Sequence, residues 1–532
     1  MGQSLYDTEY VWNYYSINNG RTSKGIVNGT IYSPRGKMFG GSTNIGVMAY
    51  LKGNSQDYQH WYDSGCLDWH PDVVKEYYKK VESQQNQKNL QNPEVNANYG
   101  TNGPLVIDLV NNTQETLNKR VIDSWAEIGI ESVLDVNTAG LGSSQRPVTA
   151  SNGVRNGAAA AYLTPEVVKR KNLKVLKYTL GTKILINPDT KKAYGVKIDR
   201  KGRRTKFYAR LEVILSAGTI NSPQLLMLSG VGPKKHLESK NIKCILDSSE
   251  VGKQMIDHFT VHIPIFANSP EEYDSSNDYL EAVKYLYDRS GTLAESGIFN
   301  IVALVSDSQN MTYSDANYEM YLDLYYKNTS TLRSGLYSKF RFKDDVLDSF
   351  VNPNKNHALY LFTVMLLHPI SRGTVFLKSN NPKDKPLFDS NAFDKREDLS
   401  IMVRGVKKLI QIVNTTYFKS IGAYLGRVNL PECDNYEFKS DEYWDCLILN
   451  IATSDFHNVG TCKMGPDPRT SVVASDLRVH GIRNLRVVDA SVIPYIVSGN
   501  TMAPTFMIAE RVSDLIKKIY GKNLTNKFFN SL

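Results

Sequence analysis

Apolar and polar positions change their spacing several times along the chain, and the clearest strand patterns lie near its middle and near its C-terminal end. Residues 212–218 form a short apolar run that ends in glycine, and residues 222–229 continue with a helix pattern that has proline near its start. Residues 484–489 form a second short apolar run, which ends in Asp489. Strand, glycine turn and helix in this order are typical of a parallel sheet that binds a ligand at its strand ends.

The remaining periodicity predicts further elements. The other predicted strands are residues 173–177, 192–199, 206–216 and 371–379. The predicted helices are residues 278–287, 394–414 and 505–520, the last with Gly521 as its stop. Residues 83–98 are rich in Gln and Asn and predict an exposed connection. With 532 residues the chain is longer than one simple core usually supports, so we expect two lobes.

Composition narrows the class of protein. The chain is 41% hydrophobic and 22% charged, which is ordinary for a globular protein and excludes wholesale disorder. Its net charge of +9 comes from 63 basic and 54 acidic residues without a long basic run, so we expect no nucleic-acid partner. The sequence contains no apolar run of about 18 residues, so we expect no transmembrane helix.

The cysteines and the N-glycosylation triplets indicate in which cellular compartment the protein is found. The five cysteines lack metal-finger spacing, so we expect no metal site. Cys433 and Cys446 are the pair nearest in sequence and could be bridged in an oxidising compartment. Residues 1–10 do not read as a signal peptide, but the density of N-x-S/T triplets still favours a secreted glycoprotein. These triplets begin at Asn28, Asn111, Asn310, Asn328, Asn414 and Asn523.

Three stretches carry candidate chemistry. Residues 33–53 form a glycine-dense loop of the kind that lays its backbone against a cofactor. Residues 498–504 form a small-residue turn before the last helix, whose N-terminus would stabilise an anion, although a helix that only packs is an equal interpretation. Residues 454–465 contain His457, a residue type suited to general-base work, although a lone histidine is more often structural. A hydrolase would need a G-x-S-x-G elbow, which the chain lacks.

These stretches, together with residues 218–232, resemble the glucose–methanol–choline (GMC) oxidoreductases, FAD enzymes that oxidise alcohols. Residues 477–504 resemble the arthropod branch that is often labelled FAD-dependent glucose dehydrogenase-like. The similarity spans nearly the whole chain in the family's motif order. It implies an α/β fold, with a Rossmann-like FAD-binding domain and an α+β substrate domain built on an antiparallel sheet. The implied parts are residues 1–265 for FAD binding, 266–454 for the substrate lobe and 455–532 for completion of the FAD domain, with the family's C-terminal part at about 366–515.

The resemblance also implies roles for individual residues. His457 matches the active-site base that takes the proton of the alcohol while hydride passes to the flavin, and Asn500 matches the residue that hydrogen-bonds the substrate oxygen. The implied FAD-binding positions are Gly40, Gly41, Ser42, Thr43, Gly46, Val175, Asp489, Ala490 and Thr501. The implied partners are FAD, a small-molecule alcohol, and oxygen or a quinone as electron acceptor.

The sequence departs from the family pattern in three places. Phe39 stands where the family has an aliphatic residue or Trp, and Gly46 stands where it has Asn or His against the flavin. No G-x-G-x-x-G occurs in the chain, so we expect that it lacks the family's first βαβ unit of about 70–90 residues, and the signal peptide with it. We therefore expect the 532-residue chain alone to hold FAD weakly.

Two alternatives to an alcohol oxidoreductase remain. The first is a hydroxynitrile lyase, an activity that the same fold supports with FAD retained and with no net redox step. The second is a catalytically impaired relative that acts as a binding protein. His457 and Asn500 argue against loss of the active site, whereas Gly46 and the missing glycine turn argue for it.

Overall fold

The structure is a computed structural model that describes residues 8–110, 115–268, 278–291, 294, 300–307 and 316–529. The strands are β1 Val11–Tyr15, β2 Tyr32–Gly36, β3 Glu82–Gln84, β4 Leu105–Ile107, β5 Gly142–Gln145, β6 Ala150–Ser151, β7 Val154–Arg155, β8 Thr179–Asn187, β9 Lys192–Arg200, β10 Arg203–Tyr208, β11 Val213–Leu215, β12 Val231–Gly232, β13 Leu246–Asp247, β14 Phe259–Ala267, β15 Ile301–Val305, β16 Tyr318–Tyr325, β17 Ala358–Leu366, β18 Thr374–Phe376, β19 Leu387–Asp389, β20 Tyr424–Leu425, β21 Thr453–Ser454 and β22 Leu485–Val487. The helices are α1 Ser55–Asp63, α2 Pro71–Val81, α3 Gln87–Gln91, α4 Pro93–Asn96, α5 Glu115–Glu127, α6 Val136–Ala139, α7 Ala158–Tyr162, α8 Pro165–Val168, α9 Gly218–Leu228, α10 Lys234–Ser239, α11 Asp278–Asp288, α12 Leu332–Phe340, α13 Asp344–Asn354, α14 Arg396–Leu409, α15 Thr416–Ser420, α16 Asp441–Ile451 and α17 Met502–Phe529.

An antiparallel sheet dominates one lobe. Its strand order is β20-β14-β17-β16-β15-β5, and β21 pairs with β14 at the end next to the site. β14 and β17 are buried along their whole length because helices α5 and α12–α16 pack on the sheet. Along β16 alternate side chains point to opposite faces, so Met320 and Leu322 enter the apolar core while Tyr321 faces the other way.

A parallel pair of strands organises the other lobe. β11 pairs with β22 in the register Val213↔Leu485 to Leu215↔Val487. Both strands lie within the apolar runs that the sequence predicts as strands, and a second apolar core forms around them, α1, α2, α9 and α17. Because the strands are parallel, their carboxyl ends lie at the same edge, where Gly218 and Asp489 meet.

The fold confirms the predicted class, α/β with an antiparallel sheet in the second lobe. The large sheet contains strands from two of the predicted parts. β5 belongs to the predicted FAD-binding part, residues 1–265, whereas β21 lies at the end of the predicted substrate lobe, residues 266–454. The domain boundaries at 265 and 454 remain a prediction. Helices α11, α14 and α17 confirm the predicted helices at 278–287, 394–414 and 505–520, with residues 410–414 continuing α14 as a tighter turn.

Four details differ from the sequence prediction. Residues 173–177 form no strand, and the strand begins at Thr179 instead. The predicted strand 206–216 is two strands, β10 and β11, which belong to different sheets. Residues 83–98 contain β3, α3 and α4 and bury Val95, so they are more than an exposed connection. α17 continues through Gly521, because a single helical glycine costs only about 1 kcal/mol relative to alanine.

Helix α9 begins at Gly218, which places Pro223 in its interior rather than in its first turn. Proline has no backbone N–H, so the Thr219 carbonyl loses its helical donor. The Thr461 hydroxyl replaces that donor at 2.6 Å, and the Thr219 hydroxyl donates to the Asn458 carbonyl at 2.7 Å. These two bonds attach α9 to the segment that carries His457.

Cys433 and Cys446 form a disulfide, which confirms the pairing suggested by their proximity in sequence. Cys66, Cys244 and Cys462 are free thiols. Among the described residues, no helix is both long enough and apolar enough to cross a membrane, and no three His, Cys, Asp or Glu side chains cluster as a metal site.

Candidate active site

A cavity of about 800 Å³ lies where the glycine loop, the ends of the parallel strands, the start of α17 and the antiparallel sheet meet. Its lining includes both predicted catalytic residues and every predicted cofactor-binding residue except Val175. Val175 lies half-buried in the segment before β8, outside this lining. The structure therefore brings together residues that are up to 461 positions apart in the chain, from Gly40 to Thr501.

The glycine loop follows β2 and turns back tightly on itself. Gly40 and Gly41 have φ values of 84° and 55°, a conformation that side chains disfavour. A Cβ on Gly36 would lie 2.2 Å from the Gly41 carbonyl oxygen, so only glycine permits this approach. The Thr43 hydroxyl donates to the Gly40 carbonyl at 2.6 Å and accepts from the Ala158 N–H at 2.9 Å. The loop is thus held with its backbone along the cavity wall.

Arg155 and Gly46 complete this wall. Arg155 Nη1 donates to the carbonyl oxygens of Gly46 at 2.7 Å and Thr43 at 3.1 Å. A Cβ on Gly46 would meet only the Ser42 carbonyl oxygen, at the ordinary contact distance of 3.5 Å. The position therefore has room for a larger side chain.

Asp489 joins the end of β22 to α9. Its Oδ2 accepts from the Gly218 N–H at 2.9 Å and from the Ser222 hydroxyl at 2.5 Å, and its Oδ1 accepts from the Ser491 N–H at 2.8 Å. Ala490 lies next to it on the cavity wall. The carboxylate thereby orients the strand end at the cavity.

The first turn of α17 reaches the same cavity, where Thr501 and Met502 line the wall. The first N–H groups of a helix have no partner within the helix. Together with the aligned peptide dipoles they amount to roughly half a positive charge at this end. This end of the cavity is suited to negative charge.

His457 is buried at the centre of the site. Its Nε2 lies 3.1 Å from Asn500 Nδ2 and 3.5 Å from Asp455 Oδ2, and its Nδ1 lies 3.0 Å from His258 Nδ1. Burial lowers the pKa of His457 below its ordinary value; Asp455 opposes that shift, while Arg35 and Arg146 reinforce it. The ring is therefore neutral at pH 7 and able to accept a proton.

A buried carboxylate holds the backbone of this segment. Asp257 Oδ1 accepts from the His457 N–H at 3.0 Å, and Oδ2 accepts from Asn458 Nδ2 at 2.5 Å and from the Ser454 hydroxyl. Burial raises the pKa of Asp257 to about 7. Arg35 donates to the Asn458 side chain and to the Phe456 carbonyl, so both neighbours of His457 are tied down.

The wall formed by the antiparallel sheet is polar. Tyr321 donates to Asp455 Oδ1 at 2.8 Å, and the Arg146 guanidinium lies 5.9 Å from the Tyr321 ring. Lys339 lines the same side and forms an ion pair with Asp323 at 3.3 Å. Sequence reasoning did not single out these residues, because nothing local distinguishes them from solvated charges.

His258, Asp257, Arg155 and Arg35 were also not predicted as site residues. Only a pairing across the fold reveals them, since His258 and His457 are 199 positions apart. The one available signal was their occurrence within motifs of the family resemblance, which does not state what they contact.

Comparisons with known proteins show what the whole chain is similar to. Models of the GMC oxidoreductase family match residues 14–260 and 369–509. Ecdysone oxidase of Bombyx mori is 35% identical over 98% of this chain and 76% of its own, and glucose dehydrogenase [FAD, quinone] of Drosophila melanogaster is 34% identical over 92% and 75%. A solved structure of formate oxidase from Aspergillus oryzae superposes with a TM-score of 0.81 at 23% identity, over 98% of this chain and 90% of that one.

Proposed function

Because the chain belongs to the GMC oxidoreductases, FAD-dependent enzymes that oxidise alcohols and sugars, we propose that His457 is its catalytic base and Asn500 its substrate-orienting amide. The family, the FAD cofactor and the enzyme class predicted from the sequence are confirmed by these matches. The relatives reported above are oxidases and dehydrogenases, so the hydroxynitrile lyase alternative is not favoured.

The observation that carries this proposal is the 3.1 Å approach of His457 Nε2 to Asn500 Nδ2 inside the cavity. An alcohol oxygen that lies beside both atoms, within hydrogen-bond distance of each, can donate its proton to Nε2 and accept a hydrogen bond from the amide. The amide then holds the oxygen while the imidazole takes the proton, which favours loss of hydride from the carbon. Asn500 Oδ1 is buried without a hydrogen-bond partner in the described part of the chain.

The residues of the cavity fit the flavin portion of FAD. Gly218 lines it with φ 83°, and no described atom lies within 4 Å of where its Cβ would be, which leaves space beside Asp489 and Ala490. We assign the Gly40–Thr43 backbone, Gly46, the Asp489–Ala490 strand end and Thr501 to FAD binding. When bound, FAD supplies the acceptor for the two electrons that leave the alcohol carbon. The N-terminus of α17 then provides a favourable field for negative charge.

Gly46→Asn is expected to tighten FAD binding about 2- to 10-fold, because one added hydrogen bond contributes about 0.5–1.5 kcal/mol. The room around the Gly46 Cβ position allows the side chain to enter without displacing the loop. Quenching of FAD fluorescence on titration into the apoprotein measures the affinity. Gly202→Asn in the β9–β10 hairpin is the control, since Gly202 lies outside the cavity lining and no described atom lies within 4 Å of its Cβ position. Equal affinities in all three proteins would refute the assignment of Gly46.

The proposed activity is tested by anaerobic flavin reduction with an alcohol, followed against pH. Since the pKa of His457 is lowered, its imidazole remains the neutral base at and above pH 6.5. Protonation of His457 should slow the reduction at low substrate only below pH 6.5. Asp257, which holds the His457 backbone and has a pKa of about 7, is the other group that changes its charge near neutrality. Glucose, an ecdysteroid and benzyl alcohol are suitable probes, and the polar wall around Arg146 favours the two hydroxyl-rich ones. No reduction by any alcohol would contradict the proposal, as would an acid limb above pH 6.5 that persists in Asp257→Asn.

For the cellular location, we propose that the protein is a secreted glycoprotein. For the electron acceptor, we propose oxygen or a quinone. Three of the triplet asparagines, Asn28, Asn328 and Asn414, are exposed, as glycosylation requires. Asn111 and Asn310 lie outside the described residues. The Cys433–Cys446 disulfide supports an oxidising compartment. The similarity to glucose dehydrogenase [FAD, quinone] of Drosophila melanogaster supports a quinone as the acceptor.

A further inference from the structure

We propose that His258 is a positioning residue that selects the tautomer of His457 in which Nε2 is free to accept the substrate proton. This inference rests on the role proposed above for His457. His258 is not among the residues that line the cavity. It acts on the reaction only through the ring nitrogen of its neighbour.

The first link is the contact between His258 and the backbone. The ring is fully buried, and its Nε2 lies 2.9 Å from the Leu367 carbonyl oxygen. A carbonyl oxygen can only accept a hydrogen bond, so Nε2 of His258 carries a proton.

The second link is the contact between the two rings. Burial lowers the pKa of His258 well below its ordinary value, so the ring is neutral and carries only one proton. With that proton on Nε2, its Nδ1 has a lone pair and can only accept. His457 Nδ1 lies 3.0 Å away, with the two rings nearly perpendicular at 87°, and must therefore be the donor.

The third link is the nitrogen that faces the cavity. A neutral imidazole that carries its proton on Nδ1 has its lone pair on Nε2. In His457 this is the nitrogen that receives the Asn500 amide at 3.1 Å, where the alcohol hydroxyl is expected. An isolated imidazole side chain favours the opposite tautomer, with the proton on Nε2, which could not act as a base toward the cavity. The Leu367 carbonyl thus determines, through two rings, which atom of His457 is basic.

The direct test is the tautomer of His457, read by ¹⁵N NMR of the holoenzyme labelled at its histidines. His457→Gln identifies the signals of this ring by their disappearance. We expect a protonated Nδ1 and an unprotonated Nε2 at pH 7. A proton found on Nε2 in the unsubstituted protein would overturn the proposal without any variant having to fold.

A matched pair of variants then tests the cause. The Oδ1 of His258→Asn can accept from His457 Nδ1 as the ring nitrogen does, whereas His258→Leu removes the acceptor. We expect His258→Leu to shift His457 toward the Nε2-protonated tautomer and to lower kcat for flavin reduction by a factor on the order of 10², with KM little changed. His258→Asn should keep the tautomer and most of kcat. Equal kcat losses in both variants with an unchanged tautomer would show a packing role only.

These outcomes are separate from those that bear on the proposed function. If His457→Ala leaves flavin reduction unchanged, the base assignment fails, yet the NMR spectrum still decides whether His258 sets the tautomer. If the tautomer is wrong while His457→Ala is inactive, the base assignment stands and the His258 inference fails.

Discussion

Replacing His457 with alanine should slow flavin reduction by an alcohol about 10²- to 10⁴-fold, the range that a positioned general base contributes. The physical reason is that Nε2 is the neutral, buried proton acceptor that the structure places against Asn500. Flavin absorbance in an anaerobic stopped-flow experiment measures the rate directly. FAD content should remain unchanged, because the glycine loop and the Asp489 strand end do not depend on the imidazole.

The control for this variant is His480→Ala. His480 is half-buried and lies outside the cavity lining, with Nε2 3.1 Å from the Gly465 carbonyl oxygen. The variant therefore removes an imidazole without touching the site. We expect its reduction rate to stay within about twofold of the unsubstituted protein, since it supplies no proton transfer. An unchanged rate in His457→Ala would exclude this residue as the base.

The second large effect is expected for stability. Arg486 is fully buried in β22, with Nε 2.7 Å and Nη2 3.2 Å from the two carboxylate oxygens of Glu212 beside β11. Arg486→Met leaves Glu212 buried without its counter-charge, which typically costs about 3–5 kcal/mol of unfolding free energy. Chemical denaturation at pH 7 measures the loss. FAD content should also fall, because β22 positions Asp489.

Two comparisons separate the charge effect from general damage. Arg478→Met removes an ion pair with Asp476, and the Arg478 side chain is 57% exposed. Because an exposed ion pair contributes little, this variant should lose less than about 1 kcal/mol of unfolding free energy. Arg486→Met combined with Glu212→Leu should recover much of the loss, because no charge then stays buried alone. Equal destabilisation by Arg486→Met and Arg478→Met would contradict the assignment.

The unfolding free energy lost in Arg486→Met should also depend on pH, in a direction that the pKa of Glu212 determines. Burial raises the pKa of Glu212, but the hydrogen bonds from Arg486 and Tyr520 outweigh it, so the net shift is downward. A carboxyl group with a lowered pKa in the folded state contributes stability above its unfolded pKa and loses it as pH falls through the folded value. The difference between the unsubstituted protein and Arg486→Met should therefore shrink in acid, as Glu212 is protonated.

The local pattern of the sequence was sufficient to locate the most strongly patterned elements. The apolar runs at 212–218 and 484–489 became β11 and β22, and the amphipathic helices α14 and α17 formed where their periodicity places them. It was not sufficient for residues 173–177, whose apolar positions look like a strand but have no paired neighbour in the structure. Strand formation depends on a partner, and a partner is not a local property.

The residues of the active site show the same division between what a local pattern reveals and what only the fold reveals. The sequence alone predicted the candidate chemistry of the site. The glycine loop, the histidine and the helix start that favours an anion are local patterns, whereas the roles of His457 as base and Asn500 as amide came from the family resemblance. Only the tertiary structure decided that Leu367, His258 and His457 form one hydrogen-bonded chain. The reason is that a hydrogen bond requires atoms within about 3 Å, and the fold alone brings residues 199 positions apart to that distance.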